Sequence, residues 1–197
     1  MPLDDAGDRS LHLHGERVRL RPLRLEDTST SQAWINDPEF RHLVGGVTWQ
    51  ASLPAEEAWV RTRLETDWEH GFALAIEATD VDDAPRLIGS VELRKLQPVE
   101  RRGEIGIGIG ERAFWSRGYG EDAMRTICRF GFRDLDLHRI ELTVAAFNPR
   151  AVRCYEKVGF TIEGRLRAHR YVAGRYHDTL LMGLLRAEFD ALEEGRA

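Results

Sequence analysis

This chain has too few cysteines for a disulfide framework and no apolar run long enough for a membrane span. Cys128 and Cys154 are the only two in 197 residues. Two thiols alone make neither a stapled scaffold nor a four-ligand metal site. The longest apolar stretch is Leu180-Leu181-Met182-Gly183-Leu184-Leu185, far short of the ~18 residues that cross a bilayer. The opening MPLDDAGDRS is acidic and polar, unlike a secretory signal or an arginine-rich transit peptide. A cytoplasmic location is the expectation. Positive charge is not in excess either: 28 Lys and Arg stand against 33 Asp and Glu, a formal net charge of −5. That balance argues against a general nucleic-acid binder. It suits a cationic substrate, and equally an ordinary solubility charge. The Arg-rich stretches 17–24 and 165–170 read more simply as alternating strands. The seven histidines give no ligand-spaced pair beyond His12-x-His14, so no metal is expected. Repeats, linkers and low-complexity segments are missing, which leaves a mobile start over residues 1–14 and one domain over 15–197.

What is present reads as a mixed α/β chain. Residues 17–25 alternate as a first strand. Glu26-Asp27-Thr28 opens a helix through Ile35 that ends at the turn residues Asn36-Asp37-Pro38. A second helix starts at Ser52-Leu53-Pro54, with acids in its first turn, and runs to about His70 before Gly71. Strands follow over 72–78, 87–96 and 104–110. A helix is predicted over 116–132, with Ala123, Met124, Ile127 and Phe130 at helical spacing. Then come a strand over 139–145, a short helix over 148–158, and a closing hairpin of 160–170 with 176–185 around Ala173-Gly174. Leu180–Leu185 suits a core strand better than a dimer face, although a homodimer stays open. A meander that gives way to alternating strands and helices predicts one sheet flanked by helices.

Two segments carry chemistry. In EIGIGIGERAFWSRGYGEDA, glycines at 106, 108 and 110 alternate with Ile105, Ile107 and Ile109; such a strand lets something approach its backbone closely. Arg117-Gly118-Tyr119-Gly120 then leads into a helix, whose N-terminal N–H groups and dipole suit an anion. The spacing matches neither the P-loop nor the dinucleotide fingerprint. Alone, R-G-Y-G reads as well for packing as for phosphate. The second segment is Asn148-Pro149-Arg150-Ala151, a helix start by cap and proline, followed by Cys154-Tyr155-Glu156-Lys157-Val158-Gly159-Phe160.

Together these segments resemble the GNAT acetyltransferase superfamily over roughly Gly15 to Arg186. Further cues are W-I-N-D-P-E-F (34–40), D-L-H-R-I-E-L (136–142), G-F-T-I-E-G (159–164) and G-R-Y-H-D (174–178). They are most similar to the branch of ribosomal-protein N-terminal and spermidine acetyltransferases. The resemblance implies a mixed, mostly antiparallel central sheet flanked by helices, with acetyl-CoA as co-substrate. The backbone of Ile107 and Ile109 would hold the pantetheine arm, and the amides of Arg117, Gly118, Tyr119 and Gly120 the pyrophosphate. Trp115 stands where the family signature usually begins with Gln or Arg. Arg112, Arg117 and Arg150 are candidates for the ribose phosphate, and Asn148 for pantetheine or substrate, or merely as a helix cap. Tyr155 resembles the family's general acid and stays protonated at pH 7 with a reference pKa near 10. Glu104 is the candidate general base through water, with Glu92 and Glu141 behind it; an exposed strand-end carboxylate is the plainer reading.

The acceptor is expected to be a protein N-terminal amine first, then spermidine, another polyamine or an amine-bearing antibiotic. An α-amino group is roughly one-seventh neutral at pH 7, an alkylamine about one part in 2,500, so the second kind needs more help in losing its proton. Loops 34–49 and the final hairpin would select among them. A module that senses acyl-CoA without turnover is the non-enzymatic alternative.

Overall fold

The computed structural model describes residues 13–44, 50–64, 71–81 and 84–196. Seven strands form one sheet in the order β1-β2-β3-β4-β5-β7-β6, with β1 Val18–Pro22, β2 Phe72–Ala78, β3 Arg86–Gln97, β4 Arg102–Ile109, β5 Arg139–Ala145, β6 Thr161–Val172 and β7 Arg175–Leu185. Among the described residues six α-helices accompany it: α1 Thr28–Asn36, α2 Pro38–Val44, α3 Leu53–Leu64, α4 Tyr119–Arg133, α5 Pro149–Val158 and α6 Arg186–Glu194. All neighbouring strands run antiparallel except β4 and β5. The mixed, mostly antiparallel sheet is therefore the one expected.

Alternation decides which side chains reach which layer. Val18 and Leu20 of β1, Ile76 of β2 and Ile105 of β4 join Ala123, Met124, Ile127 and Cys128 of α4 in the main core. On the opposite face Ala73 and Ala75 of β2 pack with Leu23 and Trp59 of α3. That face also buries charge. The Arg21 guanidinium donates to both Asp27 oxygens at 2.8 and 2.9 Å and to Glu77 Oε1 at 2.6 Å. In β7, Leu180, Met182 and Leu184 are buried, which makes the 180–185 stretch a core strand.

The element boundaries differ from expectation at several points. Asp37 is only a hinge: its Oδ1 accepts from the N–H of Phe40 at 2.9 Å, and Pro38, preset for a first turn, begins α2 at once. The turn before α4 is longer than the sequence suggests, because Ser116 and Gly118 have φ of 57° and 92°, so the helix starts at Tyr119. β1, expected over 17–25, ends at Pro22, before a 3-10 turn at Leu25–Asp27, and the 170–176 turn tightens, because Ala173 and Gly174 (φ 51° and 80°) make a two-residue hairpin turn that matches strand twist. The terminal helix α6 has a single anchor, Phe189, fully buried and 5.3 Å from the Phe132 ring. One anchor gives no periodicity to read. The expected end of α3 near His70, His12 and the 45–49 part of the proposed specificity loop lie outside the described residues. Among those described, no helix is long and apolar enough to cross a membrane.

The feature that makes a site is a split in the sheet. β4 and β5 pair in parallel only at Arg102↔Arg139, Gly103↔Ile140 and Glu104↔Glu141. From Ile105 onward β4 keeps only β3 as its strand partner and β5 keeps only β7.

Candidate active site

A cavity of about 1010 Å³ opens where β4 and β5 part. Ile105 to Ile109 of β4 form one wall and Thr143 to Ala145 of β5 the other. Ser116, Gly118 and Gly120 line it together with the start of α5, and residues of α1, α2 and α3 complete the lining.

The register fixes what the β4 wall offers. The Gly110 N–H donates to Ile88 O at 2.9 Å, continuing the pairing Ile109↔Gly89. In an antiparallel ladder the backbone groups of alternate residues then point to opposite sides, so those of Ile105, Ile107 and Ile109 face the gap. The Ile109 carbonyl is taken: the Trp115 indole N–H donates to it at 2.6 Å. The groups of Ile107 have no strand beside them. Close approach to this strand does occur, but it is by side chains on the other face. A Cβ on Gly110 would collide with the Trp34 ring, and one on Gly108 would lie 2.8 Å from that of Phe40. The glycines thus seat α1 and α2 against β4.

The turn before α4 is held from outside. Gly118 caps α4 with no side chain to satisfy its first N–H groups, which a helix leaves without internal partners. Arg17 at the mouth of β1 donates to the Arg117 carbonyl, to Tyr119 Oη at 3.1 Å and to Asp80 Oδ2 at 2.7 Å. Its guanidinium also lies 4.2 Å over the Tyr119 ring. Asp122 in the first turn accepts from the backbone N–H groups of Glu16, Arg17 and Val18 at 3.1, 2.8 and 3.0 Å. The turn's carbonyl is thereby drawn outward, leaving its N–H groups for the cavity. Tyr119 contributes no side chain there: its hydroxyl donates to Asp80 Oδ1 at 2.7 Å and the residue is buried. No sequence pattern announces this brace from β1, since nothing local links Arg17 to residue 117.

Three of the expected cavity groups converge on α5. Asn148 Oδ1 accepts from the Ala151 N–H at 3.2 Å, so it is the helix cap, and it also lines the cavity. Tyr155 lines the cavity with 8% exposure; burial, with a smaller push from Cys154, holds its phenol well above the usual value. It is a proton donor at any neutral pH. Cys154 also reaches the cavity, its thiol pushed up to about 11 by burial first and Glu121 second. A thiol that stays protonated makes a poor nucleophile. The Arg150 guanidinium lies 4.1 Å over the Trp115 ring at the same end.

Other expected residues are placed elsewhere. Arg112 donates to Asp37 at 2.5 and 2.7 Å and pairs with Glu39 at 2.6 Å, so it ties the 3-10 turn after β4 to the α1–α2 hinge. The Arg117 guanidinium donates to the Ala113 carbonyl at 3.2 Å. Glu104 is outside the cavity wall, with both oxygens occupied: Arg94 donates to Oε1 at 2.6 Å and Lys95 to Oε2 at 2.7 Å. Burial acts to raise its pKa, but these cations outweigh it and hold the carboxyl below the usual carboxylate range. Glu141 pairs with Arg102 and Arg139. Of the three carboxylates weighed as base, only Glu92 lines the cavity. Glu56, which carries no motif that would single it out, does so too.

Comparison with known proteins agrees with this architecture. The family description "Acetyltransferase (GNAT) domain" matches residues 17–161. A protein of Bacillus subtilis, YdaF, named as a candidate ribosomal N-acetyltransferase, is 29% identical over 89% of this chain and 94% of its own length. The spermidine N(1)-acetyltransferase of Escherichia coli K12 is 30% identical over 87% of this chain and 88% of its own. Among solved structures, the spermidine N-acetyltransferase of Vibrio cholerae in complex with CoA and spermine superposes with a TM-score of 0.78. It is 25% identical and covers 88% of this chain and 98% of that one.

Proposed function

The chain belongs to the GNAT acetyltransferase family and is an acetyl-CoA-dependent N-acetyltransferase, and on that premise we propose how its own residues divide the work and which amine they serve. The observation that carries the reading is the split between β4 and β5, with Tyr155 at its wall and the α4 N-terminus at its end. Acetyl-CoA brings the activated acyl group as a thioester. The N–H groups at Gly118 to Gly120 bind the pyrophosphate with the helix dipole behind them. Ile107 pairs its backbone with the pantetheine amides as a neighbouring strand would. Arg150, flat on Trp115, serves the ribose phosphate. Arg112 and the Arg117 side chain take no part in binding.

The acceptor amine enters from the α1–α3 end and attacks directly in a ternary complex, since Cys154 keeps its proton. Tyr155 gives its proton to the sulfur that departs, and the proton that the nitrogen releases on forming the amide passes through solvent in the cavity and restores the phenol. Glu104 serves as a structural ion-pair partner rather than as the base. Two acceptor classes fit the relatives' names: a protein N-terminal amine and a polyamine. Steady-state acetylation with thiol detection, on spermidine and on an alanine-starting peptide, tests the reading. Turnover that falls at least tenfold in Tyr155→Phe supports it; undiminished turnover removes Tyr155 from the mechanism. Acetyl-CoA binding with no thiol release on any amine would favour the sensor.

A further inference from the structure

Four acidic side chains are buried among the described residues: Asp27, Glu56, Glu77 and Glu104. Three are neutralised by cations. Asp27 and Glu77 share Arg21, Glu77 also takes Arg19, and Glu104 takes Arg94 and Lys95. Glu56 is 9% exposed, and among the described residues its carboxylate has neither hydrogen bond nor ion pair. The residue belongs to the cavity lining, at the α3 end. The fold pairs its other buried acids with cations, and this one faces the cavity with no cation of its own, open to something that arrives.

The surroundings state what could arrive. Trp34 and Trp59 also line the cavity, and the Arg63 guanidinium 5.4 Å over the Trp59 ring shows an indole on this helix already receiving a cation. Two turns further along α3, Arg63 reaches Glu92, but the contact is incomplete: Glu92 Oε2 and Arg63 Nε, 3.4 Å apart, are both buried without a hydrogen bond. The other cations at this end are committed, Arg94 to Glu92 and Glu104, and Arg170 to Thr179 Oγ1 and the Val44 carbonyl. Glu56 is the carboxylate left over. It is also remote from the reaction. α3 packs on β2, and β2 lies two strand spacings, roughly 10 Å, across the sheet from β4, beyond which the gap and Tyr155 of α5 begin.

We propose that Glu56 is the floor of a second subsite, which binds an alkylammonium group on the acceptor about 10 Å from the reacting nitrogen. The chemistry wanted is an extended chain with an amine at one end and a further positive charge at the other. A free diamine or polyamine supplies it, and so does a lysine side chain near the start of a peptide. The inference rests on the acetyl-transfer reading above, and it names the determinant that chooses among amines.

The test uses the full chain and matched probes. Steady-state acetylation gives KM for octane-1,8-diamine against octylamine, and for Ala-Ala-Lys against Ala-Ala-Gln, in wild type and Glu56→Gln. The expected result is that wild type prefers the doubly charged member of at least one pair by tenfold or more in KM. Glu56→Gln removes that preference and leaves the acetyl-CoA KM unchanged. Which pair responds tells free amine from peptide. Equal KM values within both pairs in wild type, or an equal rise for all probes in the variant, overturn the subsite while leaving the reaction intact. Thermal unfolding with CoA and octane-1,8-diamine separates the other failure. Stabilisation of wild type but not of Glu56→Gln, with no acetylation of any probe, keeps the subsite and discards the reaction. Because Gln matches Glu in shape and no partner is lost, the variant's melting temperature without ligand should equal or exceed that of wild type. A clear fall there assigns Glu56 a structural role and also overturns the proposal.

Discussion

The two ends of the cavity are built on opposite principles. At the α4 end the turn is tied to its neighbours by the protein itself: Asp122 takes three N–H groups, Arg17 ties a carbonyl, a phenol and a carboxylate, and Tyr119 closes the ring through Asp80. At the α3 end Glu56 is unpaired among the described residues, and Glu92 Oε2 and Arg63 Nε are orphaned. A group that binds the same portion of every molecule of co-substrate benefits from being preorganised. A region that must distinguish one amine from another is completed by the right one, because unpaired polar groups penalise the wrong one. On the proposed assignment of the two ends, preorganisation on the donor side and incompleteness on the acceptor side would give an enzyme with a fixed donor and a selective acceptor site.

The largest effect that could break this contrast sits between the two ends. Tyr155→Phe removes the phenol at the gap and should lower kcat on the order of 10²-fold, with both KM values little changed, read by single-turnover and steady-state rates. Burial keeps the wild-type phenol protonated beyond neutrality, so its deprotonation should produce no fall in kcat below about pH 10. A kcat that declines between pH 7 and 9 in wild type but not in the variant would contradict this. Next comes the brace. Arg17→Ala releases the Arg117 carbonyl and leaves Asp80 and Tyr119 without their cation. One charge-assisted bond is worth about 1.5–3 kcal/mol, so the KM for acetyl-CoA should rise on the order of tenfold. kcat at saturation and the KM of the amine should hold. A loss shared equally by donor and acceptor would mean that the turn is not separately organised. Smaller again is Trp115→Phe, which keeps a ring beneath Arg150 but frees the Ile109 carbonyl. About 1 kcal/mol for a neutral hydrogen bond corresponds to roughly a fivefold rise in the acetyl-CoA KM.

How much of this could be read from the residues follows the range of the forces involved. The α5 segment was legible almost whole, because Asn148, Pro149 and Gly159 cap and stop their own helix within a dozen residues. The hairpin 161–185 was legible for the same reason, its turn being written in Ala173-Gly174. The glycine-rich strand was located and read as one that something approaches closely; only the fold shows that Trp34 and Phe40 press on its glycines from one face of the sheet, while the open backbone groups of Ile107 lie in the sheet plane toward the gap. Arg17 and Asp122 lie 105 residues apart, and no local pattern announces such a pair. Glu56 does not stand out because an acid in the first turn of a helix has an ordinary explanation in the helix dipole. Its significance comes from an absence of partners, which a sequence cannot display.

The smallest expected effect on activity sharpens the contrast most, because it concerns a carboxylate that sequence made the leading base. Glu104→Gln should leave kcat within twofold at neutral pH, since Arg94 and Lys95 already occupy both oxygens and hold the group ionised. Its effect belongs to stability. Burial raises the carboxyl and the two cations lower it, with the cations prevailing; a group depressed on folding stabilises the native state above its unfolded pKa near 4.3, and that contribution is lost as pH falls through the lower folded value. The loss should amount to only about 1 kcal/mol, because Lys95 and Arg94 are 68% and 34% exposed and water screens them. Urea unfolding from pH 7 down to pH 3 should therefore show wild type losing its advantage over Glu104→Gln progressively below about pH 5. If kcat instead fell by orders of magnitude with the fold intact and the acid limb of the rate profile moved, Glu104 would be working on the amine. The acceptor side would then be as preorganised as the donor side.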